Sequence, residues 1–417
     1  MMVKSINKYK LYTYIIDRLI FILLSLMLFV DIFNGVFLHK NILLPISVSQ
    51  IYKLVFLTVI FFSFLFHGSK NLICLFLFFS LLLIGPLIGV LFRDNNDFFS
   101  EIVLIFKLLT PLITYFYFRG LIIRDSSFFI RNIKRLIVLD FLIISVNLLL
   151  GTFGFGYEQY TSYSSGESIG TVGYFYAGNE LSILMIIVFS LIAFFTWMKY
   201  KKSYIFIAAL LLLLSLLKAT KAAILGVLII VFAVPFVVGF RKKIHKYIVA
   251  NLLIFVILPI VSYLLYVGVI QTGLYSKLIV AFQKYDILTF LYSNRNNFAA
   301  NGWEVFNSQY SLFEQFFGVG QQYYLKLAIK SAEIDVIDML FYYGYFGLLF
   351  LLGLISTMFV KSFVQFRKKT FVFARYSLFM ITLLFIISLT AGHTFFSGLS
   401  GPFIGLVFAL PYFKTNA

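Results

Sequence analysis

Apolar runs long enough to cross a membrane recur from one end of this chain to the other. Hydrophobic residues make up 62% of the 417 residues, charged residues make up 12%, and the mean hydropathy is +1.00. A soluble domain must cover its surface with polar groups, whereas a helix that crosses a bilayer needs about 20 apolar residues. A transmembrane barrel would instead show short alternating segments. The sequence therefore predicts an all-α, polytopic membrane protein with about 12 transmembrane helices.

The predicted spans are 17–36, 46–67, 71–92, 100–118, 135–156, 178–197, 203–217, 221–239, 247–270, 335–360, 376–391 and 397–413. The first run has no small-residue cleavage site after it, so we interpret it as an anchor and not as a removed signal peptide. We predict a single transmembrane domain, 1–417. Residues 271–334, before the tenth span, form an outer loop subdomain whose apolar positions are spaced for short amphipathic helices.

The basic residues predict an orientation. The chain has 34 Lys and Arg against 16 Asp and Glu, a net charge of +18. When the spans are threaded alternately across the bilayer, most of the basic residues fall on one side, which marks the cytoplasmic face. We expect both termini and the loops 119–135 and 361–375 to be cytoplasmic, with residues 271–334 outside. The charge then reflects topology and attraction to membrane lipids, and no nucleic-acid partner is predicted.

Three cations on the predicted outer side are candidate anion ligands. Lys218 and Lys221 flank a tight junction between two spans, next to a helix N-terminus that favours anions. Arg295 stands beside Asn297 in the large outer segment, and a guanidinium suits bidentate phosphate binding. The alternatives are two interfacial lysines that contact lipid headgroups and a solvated surface arginine.

Three carboxylates lie at the start of the tenth span, in the stretch "SAEIDVIDMLFYYGYFG". Glu333 lies at the helix start, where the helix dipole alone could account for it. Asp335 and Asp338 share a helical face and are predicted as the base or sugar anchor on the acceptor side. His393, in the last outer turn, is the alternative base.

Cys74 is the single cysteine, and no His/Cys cluster has metal-ligand spacing, so neither a metal site nor a cofactor is predicted.

These stretches, together with several others, resemble the O-antigen polymerase and O-antigen ligase superfamily of bacterial inner-membrane glycosyltransferases. The likeness covers roughly the second half of the chain. It rests on "YFYAGNELS", "KATKAAILG", Arg295 followed by Trp303, "FFGVGQQYY", "EIDVIDMLFYYGYFG" and "AGHTFFSGLSG". Ligases of this superfamily usually carry a His-Asn pair where this chain has Glu333-Ile334. The resemblance is therefore closest to the polymerases.

The resemblance implies a C-type glycosyltransferase fold and a polyprenyl-pyrophosphate-linked oligosaccharide as both donor and acceptor. The product would be a surface polysaccharide such as O-antigen or capsule, made outside the cytoplasmic membrane without a metal. Arg295, or a lysine at the Lys221 position, would hold the pyrophosphate. Asn179, Glu180 and Asn297 are the predicted sugar-binding residues, and a chain-length regulator is a candidate protein partner. A ligase that transfers the glycan to a lipid acceptor and a flippase for the same lipid-linked unit are the alternatives.

Overall fold

Helices dominate the computed structural model, which describes residues 2–42, 44–67, 69–93, 97–161, 168–239, 263, 286–328, 330–368 and 373–414. Helices account for 83% of the structure. Seven described helices are long and apolar enough to cross a membrane, judged by length and composition. The prediction of an all-α, membrane-embedded protein is confirmed at this level.

The described elements, in chain order, are α1 (Met2–His39), α2 (Val48–His67), α3 (Ser69–Phe92), α4 (Phe98–Arg124), α5 (Ser126–Thr152), β1 (Tyr157–Thr161), β2 (Ser168–Gly173), α6 (Gly178–Lys199), α7 (Tyr204–Lys218), α8 (Lys221–Gly239), α9 (Ile287–Tyr292), α10 (Arg295–Gln309), α11 (Leu312–Phe317), α12 (Gln321–Ala328), α13 (Asp335–Arg367), α14 (Ala374–Ser388) and α15 (Gly401–Ala409). The chain divides into two compact units. Unit 1 consists of Met1–Gly68 and Tyr117–Ile279, and unit 2 of Ser69–Phe116 and Val280–Ala417.

Unit 1 is organised around α6. Of the most apolar 18-residue stretch of this helix, 83% is buried, and α6 packs against α5, α7 and α8. A helix that is apolar on all sides belongs in the centre of a bundle, which explains this position. The antiparallel β1–β2 hairpin packs on α5 and α7. Asn147 of α5 holds the end of strand β2. The Asn147 Nδ2 donates to the Val172 carbonyl at 2.8 Å, and the Asn147 Oδ1 accepts from the Tyr174 N–H at 3.0 Å.

Unit 2 is organised around α13, which packs against α3, α11, α12 and α14. This helix runs from Asp335 to Arg367, but Gly344 has φ 65° and ψ −165°, so the backbone is broken there. A side chain at this position would collide with the carbonyl groups of Gln315 and Phe316. Glycine is the residue that tolerates both the left-handed φ and this close approach. The helix therefore consists of a short segment that carries the two aspartates and a longer apolar segment.

The predicted outer loop subdomain is helical where the structure describes it. Four short helices, α9 to α12, occupy residues 287–328 and belong to unit 2. Ser311 begins α11 with a capping box in which its hydroxyl accepts from the Glu314 N–H while the Glu314 carboxylate accepts from the Ser311 N–H. The predicted ninth span, 247–270, lies outside the described residues apart from Tyr263, as do residues 271–285 of the predicted outer subdomain.

Three predicted boundaries need correction. Residues 119–135 do not form a loop, because α4 continues to Arg124 and α5 begins at Ser126. The Asp125 side chain between them accepts from the Phe128 N–H at 2.8 Å, which caps α5 and makes a one-residue turn sufficient. The 361–375 loop is shorter than predicted, since α13 reaches Arg367. The last two predicted spans form shorter apolar helices, α14 and α15.

Candidate functional site

Arg295, the first residue of α10, joins three segments of unit 2. Its Nη2 donates to Glu333 Oε2 at 3.0 Å, and its Nη1 donates to the Thr390 carbonyl at 3.0 Å. The Arg295 side chain is 15% exposed and the Glu333 side chain is 24% exposed, so solvent reaches both. A guanidinium held in one orientation at an accessible surface is suited to binding an oxyanion.

Glu333 is held by positive charge on several sides. Lys330 Nζ lies 3.7 Å from Glu333 Oε1 and 4.6 Å from the centre of the Phe298 ring. Burial disfavours the charged carboxylate, but the hydrogen bond and charge of Arg295, with the charges of His393 and Lys330, outweigh it. They hold the pKa of Glu333 below its ordinary value of 4.5. Glu333 is therefore a weak base at neutral pH and a firm anchor for Arg295.

His393 lies in the turn between α14 and α15, where it is half-buried. It is close enough to interact electrostatically with Glu333 and Asp335. Both Glu333 and His393 adopt left-handed backbone conformations, with φ of 54° and 55°. Such conformations are costly for residues other than glycine and are concentrated at functional sites. The two residues meet at one surface, because the Gly392 backbone lies against the Glu333 carbonyl.

Asp335 is buried directly behind this surface and is 1% exposed. Its Oδ2 accepts from the backbone N–H groups of Thr394 and Phe395 at 2.8 and 2.9 Å. Its Oδ1 is buried and has no hydrogen-bond partner among the described residues. The carboxylate therefore holds the backbone that follows His393, and a fixed turn keeps the imidazole in place.

Asp338, one turn further along α13, is 5% exposed. Its Oδ1 accepts from the Ala332 N–H at 3.0 Å, so it holds the chain just before Glu333. The two aspartates thus support the segments on which the accessible groups stand. Of the predicted site residues, the structure brings together Arg295, Glu333, Asp335, Asp338 and His393. We call these five the outer cluster.

Asn297 lies on the first turn of α10 and is exposed. Its Nδ2 donates to the Asn294 side-chain oxygen at 2.7 Å. Asn294 precedes the helix in a left-handed conformation, with φ 71°. Asn297 therefore stabilises the start of the helix that carries Arg295 while its side chain stays at the surface.

Two buried acids support the predicted outer loop subdomain, and neither was predicted as a functional residue. Glu101 is 0% exposed and accepts from the N–H groups of Gln321 and Gln322 at 3.1 and 2.7 Å, at the start of α12. Glu314 is paired with Arg93 through two hydrogen bonds of 2.7 and 2.9 Å. Acid is scarce in this chain, so an acid at the edge of an apolar run was a signal that applied to Glu101 as well as to Glu333.

Lys218, predicted as a pyrophosphate ligand, is completely buried in unit 1. Its Nζ donates to the Gln159 side-chain oxygen, which comes from strand β1. The β1–β2 hairpin therefore covers the end of α7. An anion could reach the Lys218 amine only after Gln159 moved.

Lys221 is exposed in the first turn of α8. The N-terminus of this helix, predicted as part of an anion site, is partly satisfied by Thr220, whose hydroxyl accepts from the Ala223 N–H at 3.3 Å. Asn179 and Glu180, two of the predicted sugar-binding residues, are half-buried in the first turn of α6. These residues all belong to unit 1.

The fold and the outer cluster define a membrane-embedded helical protein with a charged site at the end of an apolar helix. No group of three or more His, Cys, Asp or Glu in the described part of the chain could hold a metal ion. No protein-family model, curated protein or solved structure matches the chain.

Proposed function

We propose that this protein is a glycosyltransferase that polymerises polyprenyl-pyrophosphate-linked oligosaccharide repeat units. The observation that carries the proposal is the outer cluster. An oriented guanidinium, an ionised carboxylate and a histidine lie together at an accessible surface, supported from behind by two buried aspartates. A membrane-embedded protein with such a site is suited to a substrate that joins a polar, charged head to a lipid chain.

The proposed reaction is a direct displacement at the anomeric carbon of the donor. The acceptor hydroxyl forms a new C–O bond to this carbon and gives its proton to a base. The C–O bond to the pyrophosphate breaks, and its electron pair leaves with the polyprenyl pyrophosphate. The anomeric configuration is inverted. Arg295 and Lys330 stabilise the charge that develops on the leaving group, which is where fixed cations lower a barrier most.

His393 is the base that the geometry favours. Its side chain is half-exposed, whereas Asp335 and Asp338 are buried and use carboxylate oxygens to accept from backbone N–H groups. Glu333 binds Arg295 and has a lowered pKa, so it is a poorer proton acceptor. In this proposal Glu333 orients the guanidinium, and Asp335 is a positioning residue for the His393 turn.

The proposed setting is the bacterial cytoplasmic membrane, with about 12 spans of the usual ~20 residues, cytoplasmic termini and the outer cluster facing outward. The unequal distribution of lysine and arginine supports this orientation. A Cys introduced at the exposed Ser308 should be protected from, and one at Arg367 exposed to, a reagent added to the cytoplasmic side of inverted vesicles. The reverse pattern would contradict the orientation and the access of an external substrate.

The function is tested with purified protein in vesicles supplied with purified lipid-linked repeat units and EDTA. We expect a ladder of lipid-linked polymers and release of polyprenyl pyrophosphate. His393→Gln, which keeps a polar side chain of similar size, should lose nearly all activity. Ser308→Ala, at an exposed position on α10, is the matched control and should polymerise normally.

The products separate this proposal from its rivals. Transfer of repeat units only to an added lipid A core acceptor, with no ladder, would identify a ligase. Movement of intact lipid-linked units across the bilayer without bond formation would identify a transporter. Normal polymerisation by His393→Gln would leave the polymerase proposal intact but remove His393 as the base.

A further inference from the structure

Helix α11 exposes large apolar side chains although it belongs to the outer segment. Leu312 is 85% exposed, Phe313 58% and Phe316 47%. The same short helix carries the buried Glu314 on its other side. Three large apolar residues on one accessible face of a six-residue helix form a patch that water disfavours.

Helix α11 packs beside the membrane-length helix α3, and two contacts show how far along α3 it lies. At its start, Glu314 binds Arg93, the residue that follows the last turn of the membrane-length helix α3. At its end, the Phe317 carbonyl lies against Gly85 of α3, so close that a side chain at Gly85 would collide with it. Gly85 precedes Arg93 by eight positions, a rise of roughly 12 Å along a helix. Helix α11 therefore lies beside the last two turns of α3.

Helix α11 also contacts a second membrane-length helix, α13, well away from the end of that helix. The carbonyl groups of Gln315 and Phe316 approach α13 at Gly344, the point at which its backbone breaks. Phe317 also contacts Phe346, beyond the break, with ring centres 6.2 Å apart. The chain then turns at Val319, which is 0% exposed, and α12 begins at Gln321. Non-helical backbone at membrane depth requires such burial in protein.

We infer that α11 and α12 form a re-entrant hairpin, and that Leu312, Phe313 and Phe316 contact the acyl chains of the bilayer. The exposed apolar patch of α11 continues the lipid-facing surface of α3, where Leu91 is 69% and Phe92 76% exposed. The Arg93–Glu314 pair lies at the polar boundary of the bilayer, with the hairpin turn below it. This inference goes beyond the proposed function and does not depend on it.

The inference is tested by fluorescence quenching on the full chain. Cys74 is first replaced by Ala, and single cysteines are introduced at Leu312, Phe313 and Phe316 and labelled with an environment-sensitive fluorophore. The protein is reconstituted in vesicles of equal parts phosphatidylcholine and phosphatidylglycerol. Lipids with a nitroxide on the acyl chain quench from inside the bilayer, and iodide quenches from water. Leu91→Cys is the lipid-facing control, and Ser308→Cys on α10 is the water-facing control.

We expect nitroxide lipids to quench the three α11 probes as strongly as the Leu91 probe, with little quenching by iodide. Quenching by iodide at the level of the Ser308 probe would show that α11 lies in water and would overturn the inference. Protection from both quenchers would overturn it too, because another protein surface, such as a second copy of this chain, would then cover the patch. Gel filtration of each labelled variant verifies that it is folded.

Discussion

Lys218 and Arg295 are both cations that the sequence predicts as pyrophosphate ligands, but the groups that surround them differ. Lys218 is completely buried, and its amine is bound by Gln159 of the β1–β2 hairpin. Arg295 is partly exposed and is held from behind by Glu333 and the Thr390 carbonyl. The protein encloses the Lys218 amine, whereas it orients the Arg295 guanidinium and leaves it accessible. Only a cation of the second kind can bind an external anion without a rearrangement.

The contrast shows that two cations with the same predicted role can have opposite environments. In unit 1 the hairpin satisfies the lysine, so the cation contributes to the assembly of the unit. In unit 2 the partners of the arginine leave one side of the group open, so it can serve a ligand. The following four predictions test this difference, from the largest expected effect to the smallest.

Arg295→Ala should reduce polymer formation by about 100-fold or more, which is the usual cost of removing a fixed group that stabilises developing charge. Arg295→Lys should restore part of the activity, because a lysine keeps the charge but not the two-sided geometry. The readout is the polymer ladder from purified lipid-linked units at equal protein levels. Lys326→Ala, at an exposed cation on α12, is the control. Normal activity of Arg295→Ala would remove the distinction between the two cations.

Asp335→Ala should destabilise the protein by about 2–5 kcal/mol, since it leaves two buried N–H groups without an acceptor. Asp335→Asn keeps one acceptor oxygen and should cost less, with activity that follows the folded fraction. Thermal unfolding in detergent and polymer yield are measured on the same samples. An Asn variant that is as stable as the parent but inactive would show that the carboxylate itself takes the proton.

Gln159→Leu should destabilise unit 1 by about 1–3 kcal/mol, because the buried Lys218 amine then has lost its acceptor. Adding Lys218→Met should recover most of this loss, since a well-packed apolar pair can replace a buried polar one. Thermal unfolding of both single variants and the double variant gives the coupling free energy between Gln159 and Lys218. Polymer formation should stay near normal in Lys218→Met, and its loss would mean that the enclosed amine has a direct role.

The smallest expected effect is the pH dependence of the Arg295–Glu333 pair. Because the pKa of Glu333 is lowered on folding, the pair stabilises the protein above the unfolded pKa near 4.5, and this contribution disappears as the pH falls through the folded value. Its size should be under about 1 kcal/mol, since solvent screens a partly exposed pair. The stability difference between the parent and Glu333→Gln should therefore be constant at neutral pH and shrink below pH 4.5. A stability difference that grows as the pH falls would contradict the lowered pKa of Glu333 in the folded protein.

Hydropathy was sufficient to predict the helical membrane class, because a run of about 20 apolar side chains has few other stable solutions. The acids at the start of the tenth span were also recognisable, since acid is rare in this chain and costly near a bilayer. The break at Gly344 was not predicted. Hydropathy is blind to backbone dihedral angles, although a glycine among aromatic residues in "YYGYFG" is a local signal for one.

Contacts between distant residues could not be predicted from the sequence. Gln159 and Lys218 are 59 residues apart, and nothing in either segment indicates the other. The same holds for the two aspartates, which were interpreted as side chains that face a substrate. Their helical spacing was evident, but the backbone N–H groups that they bind come from loops whose paths cannot be read from periodicity. The short Asp125 turn, by contrast, had a recognisable capping residue.

The Arg93–Glu314 pair also has a consequence for biosynthesis. The two residues are separated by 221 positions, and all of Tyr117–Ile279 in unit 1 is made between them. At about 5–20 residues per second, a ribosome needs roughly 10–40 s to cover that distance. During this time α3 and the start of α4 have left the ribosome without the partners that later bind Arg93 and Glu101. Unit 2 therefore reaches its final form only late in translation, and its first two helices depend on the insertion machinery or on lipid until then.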